Sequence, residues 1–461
     1  MKFRDDFSGR YRSKSAAQYR AEAIHYDNSA GPSTPLDANQ GPGRKGQRTA
    51  TLARRASVLR GHNFRRFYIG QVTSLFGTSM SAVAVIFAVL GNGGSAADLG
   101  YVITARILPQ VVLVLGGGVL ADRLGRRPVM LGSDVLRCAA QAALAAALLA
   151  GRPAIWLIAA LAALVGIGEA FFGPALDGLT VEIAPRDELG SANALLGLAK
   201  SAAGIAGPAL AGLLVAISGP GVVVAVDAAS YGVSVIALAG LRLPRPGHLR
   251  GGRSLLREMA EGWTEFRSRT WLWVTTVQFA LFNLITWAPY LVLGPVLARD
   301  YLGGARAWGL IMAASGAGAT LGGLTALGRR PPRPLVIATL ATFGYPMPCL
   351  LLALHAPAAG VAAGAFAAGA GGALGMALDT TVLQQQVPQD RLSRASSFST
   401  FGAFGPGTLG LAIAGPVAAL AGPGRVLGIG AAWAVLSSFV VLSLPSVRAV
   451  RWRETPPGGL A

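Results

Sequence analysis

The chain has 461 residues, of which 52% are hydrophobic and only 13% charged, and its mean hydropathy is +0.51. A soluble protein of this length cannot coat its surface with so few charges. The net charge of +19 would suggest nucleic acid in a soluble chain, but the arginines fall between apolar runs and no aromatic-interleaved basic surface exists, so a nucleic-acid partner is excluded.

In chain order, residues 1–56 are polar and mixed in charge, with Gly, Pro, Ser and Gln scattered among basic residues. Such a segment cannot bury a core and reads as a disordered cytoplasmic tail, with no apolar stretch of a secretory signal. Runs of about 20 apolar residues, the length that crosses a bilayer, follow near 68–91, 99–121, 129–150, 154–176, 194–218 and 222–241. A second set lies near 272–296, 307–328, 333–355, 357–378, 400–422 and 424–445. The expected organisation is a six-helix bundle over 57–241, a basic cytoplasmic linker over 242–271, a second bundle over 272–445 and a C-terminal tail over 446–461. The linker carries seven arginines and the amphipathic stretch Leu255–Trp263.

Charge sets the direction. With the N-terminus inside, the short cytoplasmic loops and the C-terminal tail hold 19 Lys/Arg and the N-terminal segment adds 14. The outside connections hold only Arg152, Arg299, Arg306 and Arg425. By the positive-inside rule both termini are cytoplasmic. The two sets of spans also echo each other. Leu176-Asp177 with Pro185-Arg186-Asp187 resembles Leu378-Asp379 with Pro388-Gln389-Asp390, at an offset of 202 to 203 (379 − 177; 388 − 185). Gly207-Pro208 and Gly415-Pro416 follow in the next helix of each half.

Between spans 2 and 3 runs Gly117-Gly118-Val119-Leu120-Ala121-Asp122-Arg123-Leu124-Gly125-Arg126-Arg127-Pro128. Its glycines permit close helix approach, its arginines belong on the cytoplasmic side, and Asp122 is placed to cap a helix N-terminus or pair with an arginine. This loop resembles the signature of the major facilitator superfamily of secondary transporters, and the resemblance extends from about Leu59 to Leu444. Family members begin near a stretch like Leu59–Arg65, which makes a start within the tail a second reading of residues 1–56. The resemblance implies an all-α integral membrane protein with twelve transmembrane helices in two pseudo-symmetric six-helix bundles. It implies that Gly118, Asp122, Arg123, Gly125, Arg126 and Arg127 form a gate latching the halves in the outward-facing state. The plainer reading is a turn that sets topology.

Further candidates lie inside the spans. Asp134 and Arg137 share a helix face within Ser133-Asp134-Val135-Leu136-Arg137, which resembles enterobactin-exporter-like and macrolide-efflux-like members; a local ion pair is expected. Gly204, Gly207, Pro208 and Gly212 resemble the helix-packing motif of proton-coupled antiporters, with Ala203 and Ala211 where two glycines would stand. Intramembrane charges are costly unless paired or facing a cavity, so Arg106, Glu169, Asp227 and Asn283 are the candidate proton or substrate site, with Gln71, Gln110, Gln141 and Tyr231 as uncharged partners. Arg106 and Asp227 are alternatively a structural pair. Relatives often carry an acid in span 1 after Ser-x-x-Gly; here Ser74-Leu75-Phe76-Gly77 is followed by Thr78, and no acid occurs from Tyr68 to Val89.

Catalytic signatures are lacking. The four histidines, His25, His62, His248 and His355, have no metal-ligand spacing, and no Gly-Lys-Ser/Thr phosphate loop exists. Cys138 and Cys349 lie inside apolar runs and imply no disulfide. No cofactor and no metal are expected. The reading is a monomeric transporter in a bacterial inner membrane, partnered by the lipid bilayer, a small-molecule substrate and protons. It would export a small amphipathic organic compound by alternating access. An importer or facilitator of a small metabolite and a non-transporting scaffold or sensor are the alternatives.

Overall fold

The computed structural model describes residues 57–185, 188–241, 263–264, 266–327, 331–387 and 389–451, with side chains left out at 57, 114–119, 121–123, 389–398 and 400. The tail 1–56, most of the linker and residues 452–461 lie outside the described residues. Among those described, twelve helices are long and apolar enough to cross a membrane. They are α1 (His62–Gly91), α2 (Ala96–Leu124), α3 (Arg126–Ala150), α4 (Ile155–Ile183), α5 (Leu189–Ser218) and α6 (Pro220–Ala239). The second set is α7 (Thr270–Leu302), α8 (Ala305–Ala326), α9 (Pro334–Ala353), α10 (Ala358–Gln386), α11 (Gln389–Ala421) and α12 (Pro423–Ser443).

Local chemistry marks the ends. Ser95 opens α2 with a capping box: its hydroxyl accepts from the Asp98 amide at 3.2 Å, and the Asp98 carboxylate accepts from the Ser95 amide at 2.8 Å. Gly125, at φ 90°, makes the tight corner between α2 and α3 that a side chain would strain. The α5–α6 and α11–α12 corners repeat one device, a left-handed glycine followed by proline at the first helical position. These are Gly219-Pro220 and Gly422-Pro423, 203 residues apart (422 − 219), which matches the offset of the sequence echo. Helix α7 departs from regular geometry in two π-helical turns, Asn283–Trp287 and Ala298–Leu302. Helix α9 tightens to a 3-10 turn at Thr342–Gly344 ahead of Pro346 and Pro348, which cannot donate to the helical ladder.

Helices α1–α6 pack on one another, α2 on α4 and α1 and α3 on α6, while α8 and α9 pack on α10 and α7 on α11. The two halves meet along α5–α8 and α2–α11. The α5–α8 seam is backbone against backbone. The α-carbon of Gly212 faces the Ala305 carbonyl, that of Gly309 the Pro208 carbonyl, and that of Gly316 the Gly204 carbonyl, each too close for a β-carbon. On the other seam Gly100 faces the Leu411 carbonyl and Gly415 faces Ala97, while Thr104 Oγ1 reaches the Thr408 carbonyl at 3.5 Å.

All of these contacts lie from mid-helix to the end opposite the loops that hold Arg126, Arg127 and Arg333. At that opposite end one apolar core spans both halves, joining Val83, Leu90 and Val102 to Leu293, Trp308, Leu411 and Leu427. At the arginine-rich end the cores are separate: Phe64, Phe67, Met130, Leu179 and Leu238 in one half, Leu335, Val382 and Val441 with Phe266, Leu272 and Val387 in the other. Among the described residues the halves therefore share a core at one end, the sealed end, and hold separate cores at the other, the parted end.

The seam can be tested directly. Gly309→Val would drive a branched side chain into the Pro208 carbonyl, and overpacking of this kind costs about 1–3 kcal/mol. In a background with Cys138 and Cys349 replaced by alanine, the fully buried Ala211 is changed to cysteine. The expected outcome is several-fold faster labelling by a membrane-impermeant maleimide when Gly309→Val is added. Unchanged labelling would mean that the seam yields without opening.

Candidate functional site

Glycines on neighbouring helices make room at three charged residues of the first half. Gly166 of α4 takes the Arg106 carbonyl of α2 against its α-carbon, Gly168 takes the Arg137 side chain of α3, and Gly77 of α1 takes the Asp227 and Ser230 side chains of α6. Close approach of α2 and α4 lets Arg106 reach Glu169, with Nη2 to Oε1 at 2.5 Å and Nε to Oε2 at 3.4 Å. The expected ion pair of Asp134 and Arg137 forms across one helical turn. Ser234 Oγ donates to the other Asp134 oxygen at 2.6 Å. The Arg137 guanidinium lies between the rings of Phe172 (4.1 Å) and Tyr231 (4.5 Å), so cation–π attraction replaces part of its lost hydration. The Tyr231 hydroxyl shares a hydrogen bond with Thr78 Oγ1 at 2.8 Å.

Asp227 is the third acid of this network and is fully buried. Gln141 Nε2 donates to its Oδ2 at 2.6 Å and to Ser81 Oγ at 2.7 Å. Ser230 Oγ donates to the Asp227 carbonyl at 2.7 Å, with Oδ1 at 3.4 Å. The alternative pairing of Arg106 with Asp227 is thus not the one formed; the guanidinium is committed to Glu169. Two arginines pair with two carboxylates, and among the described residues the third accepts hydrogen bonds only from neutral side chains. Gln141 Oε1 is buried and has no hydrogen-bond partner. Beside the network lies a cavity of about 240 Å³ whose polar lining is Arg106 and Gln141; its apolar wall includes Val102, Ile103, Val165 and Leu291, the last from α7.

Asn283 is not part of this cluster. It sits at the first π-helical turn of α7, where Nδ2 donates to the Phe279 carbonyl at 2.9 Å and to the Ala403 carbonyl at 3.3 Å, tying α7 to α11 beside Gly407. The helix-packing group divides its work. Gly207 packs on Ser79 of α1, whereas Gly204, Pro208 and Gly212 form the α5 side of the seam to α8.

Of the signature loop, Gly125 makes the corner, and Arg126 reaches α4, donating to the Gly178 carbonyl at 2.7 Å and pairing with Glu182 at 2.9 Å. Arg127 caps α6, donating to the carbonyls of Leu238 (2.8 Å) and Ala239 (2.6 Å). Both arginines thus stay within their own half. Gly118, Asp122 and Arg123 belong to the last turns of α2, and their side chains lie outside the described residues. Sequence reasoning missed Ser81, Ser230, Ser234 and Phe172. The signal for two of them was present, since Asp227, Ser230, Tyr231 and Ser234 fall at the spacing of one helix face.

Comparison with known proteins agrees with this geometry. Macrolide efflux protein A of Streptococcus pyogenes is 28% identical over 243 residues, covering 52% of this chain and 60% of the relative; the chain thus spans less than two thirds of that protein's length. Multidrug efflux pump Tap of Mycobacterium tuberculosis is 28% identical over 403 residues, 81% of this chain and 91% of that one. Among solved structures, the nucleoside transporter NupG superposes with a TM-score of 0.64 at 13% identity, covering 82% of this chain and 98% of that one. A bacterial homologue of the human lysosomal transporter Spinster, inward-facing and unoccupied, gives 0.61 at 15% identity, covering 87% and 100%. These two likenesses bear on the fold alone. The family model of the Major Facilitator Superfamily matches residues 67–411. With twelve spans, two seams and the α2–α3 loop in place, the chain belongs to the Major Facilitator Superfamily.

Proposed function

We propose that the protein is a proton-coupled exporter of small amphipathic organic compounds, working by alternating access in a bacterial cell membrane with its arginine-rich end inside. The observation that carries the reading is the arrangement of the two halves, sealed by one shared core at one end and parted into separate cores at the other. A body built this way exposes a cleft to one side at a time. The positive-inside rule makes the parted end cytoplasmic. Export of an organic compound is supported by the relatives named for macrolide and multidrug efflux.

Asp227 supplies the coupling. Glu169 and Asp134 are held by arginines, so Asp227 is the carboxylate whose charge is least compensated and whose protonation disrupts no ion pair. Gln141 carries the message. Its amide nitrogen now donates to the Asp227 carboxylate, and its oxygen has no partner. A proton on Asp227 turns that carboxylate into a donor, which the Gln141 oxygen accepts after the amide rotates. Gln141 also lines the cavity, so the rotation changes one of the two polar side chains presented there. Substrate and proton then bias the same equilibrium between the two facing states.

Arg126 and Arg127 anchor the signature loop to α4 and α6. Asp122 and Arg123 are assigned the role of latch to the second half when the arginine-rich end closes, as the loop sequence implies. Asp122→Asn is then expected to lose most turnover at an unchanged amount of folded protein, measured as efflux from cells; full turnover would leave the loop a topology signal only.

The coupling assignment predicts that Asp227→Asn in proteoliposomes loses at least tenfold of the macrolide accumulation driven by an imposed pH gradient, while exchange of labelled for unlabelled macrolide without a gradient survives. Gradient-driven accumulation at the wild-type level would overturn it. Glu169→Gln should act differently. Removing one partner of a fully buried pair costs about 3–5 kcal/mol; Arg106 and Glu169 keep 19% and 15% of their side chains exposed, so a smaller but clear fall in melting temperature is expected. Adding Arg106→Gln should recover part of it. A melting temperature unaffected by the single change would contradict the structural role of this pair.

A further inference from the structure

Among the described residues, one charged side chain lies away from the span ends of the second half, and it takes no part in the cluster of the first half. Asp379 lies on α10, is exposed, and forms neither an ion pair nor a hydrogen bond with any side chain among the described residues. The cationic side chains described for α7–α12 and their connections, Arg299, Arg306, Arg333 and Arg425, sit at span ends. A bare carboxylate within a membrane span is tolerated only where it meets a water-filled cavity.

The register of α10 identifies that cavity. Val361, Ala365, Gly372, Met376 and Asp379 fall on one helical stripe, by spacings of four, seven, four and three. At the sealed end Val361 and Ala365 are buried in the core shared by both halves. Further along, Met376 is 59% exposed and Asp379 is exposed as well. The stripe therefore runs out of the seam into the parted cleft.

Aromatic side chains flank it. The Tyr345 hydroxyl packs against Gly372, on the stripe that ends at Asp379, with no room for a β-carbon. The Tyr345 ring contacts Phe282 (4.5 Å between centroids) and Trp287 (6.2 Å, edge-on) of α7. Phe279 continues the row to the exposed Phe404 of α11. Aromatic faces attract a weakly hydrated cation, and the carboxylate repels an anion.

We propose that Asp379, with Tyr345, Phe282 and Trp287, forms a cleft subsite for the positively charged end of an amphipathic organic cation. The inference rests on the transport reading above and narrows its substrate class. The first half brings no net positive charge against this subsite from Arg106 or Arg137, since both are paired. Lys200 of α5, exposed on the first half, is a cation with which Asp379 could otherwise be meant to pair.

The test is binding to the purified full-length protein in detergent, which needs no flux. Tryptophan fluorescence is followed on titration with tetraphenylphosphonium and with the neutral triphenylphosphine oxide. Asp379→Asn is expected to weaken tetraphenylphosphonium at least tenfold and the neutral compound less than twofold. Asp379→Glu should recover most of the affinity, and Lys200→Gln should leave it unchanged. Absence of tetraphenylphosphonium binding to the wild type, or an equal loss of both compounds in Asp379→Asn, would overturn the proposal. The same loss in Lys200→Gln would also overturn it, making Asp379 a closing partner of that lysine. A protein that binds as expected but moves neither compound in proteoliposomes would contradict the transport reading and leave the subsite standing.

Discussion

Glycine α-carbons packed against backbone carbonyls of the facing half determine how this molecule is put together. Between lipid-facing helices there is no hydrophobic gain in bringing one apolar surface to another, so association depends on close van der Waals contact and on the small residues that permit it. At Gly212, Gly309 and Gly316 on one seam, and at Gly100 and Gly415 on the other, the helices approach until a β-carbon would no longer fit. Contacts this close have no intermediate version. A seam of that kind is closed or open, which is what two rigid halves need if they are to exchange one facing state for another.

Charge obeys a second constraint. In a low-dielectric interior an unpaired ion is costly, and the first half meets this by giving Arg106 and Arg137 one carboxylate each. Arg137 has in addition two aromatic faces. Asp227 in one half and Asp379 in the other stand outside these pairings. The first is buried among neutral donors and the second is exposed in the cleft. On the proposed reading, the separation of a buried, hydrogen-bonded acid from an accessible one divides proton carriage from cation recognition between the two halves.

Much of this was legible in the sequence. Twelve apolar runs, the loop around Asp122 and the repeat offset specify fold and family, because membrane crossing demands length and hydropathy that composition alone reveals. The Asp134–Arg137 pair followed from i, i+3 spacing. The partner of Arg106 did not, since Glu169 and Asp227 are both within reach in principle, and only the close approach of α2 and α4 at Gly166 decides between them. Asn283 looked like a cavity residue because polar groups in apolar runs are rare; its amide serves the π-helical irregularity of α7, which no periodicity announces. Asp379 entered the sequence reading only as an element of the repeat, because helix rotation decides whether such a residue meets lipid, protein or water.

On the proposed reading the sealed and parted ends exchange as one rigid motion. Pulsed spin-label distances measure it directly, with one pair at Val181 of α4 and Gln384 of α10, and another at Leu213 of α5 and Leu310 of α8, all exposed positions. On acidification in the presence of a transported compound, the first distance is predicted to shorten and the second to lengthen, in the same fraction of molecules. A change at one end with the other fixed would contradict the account.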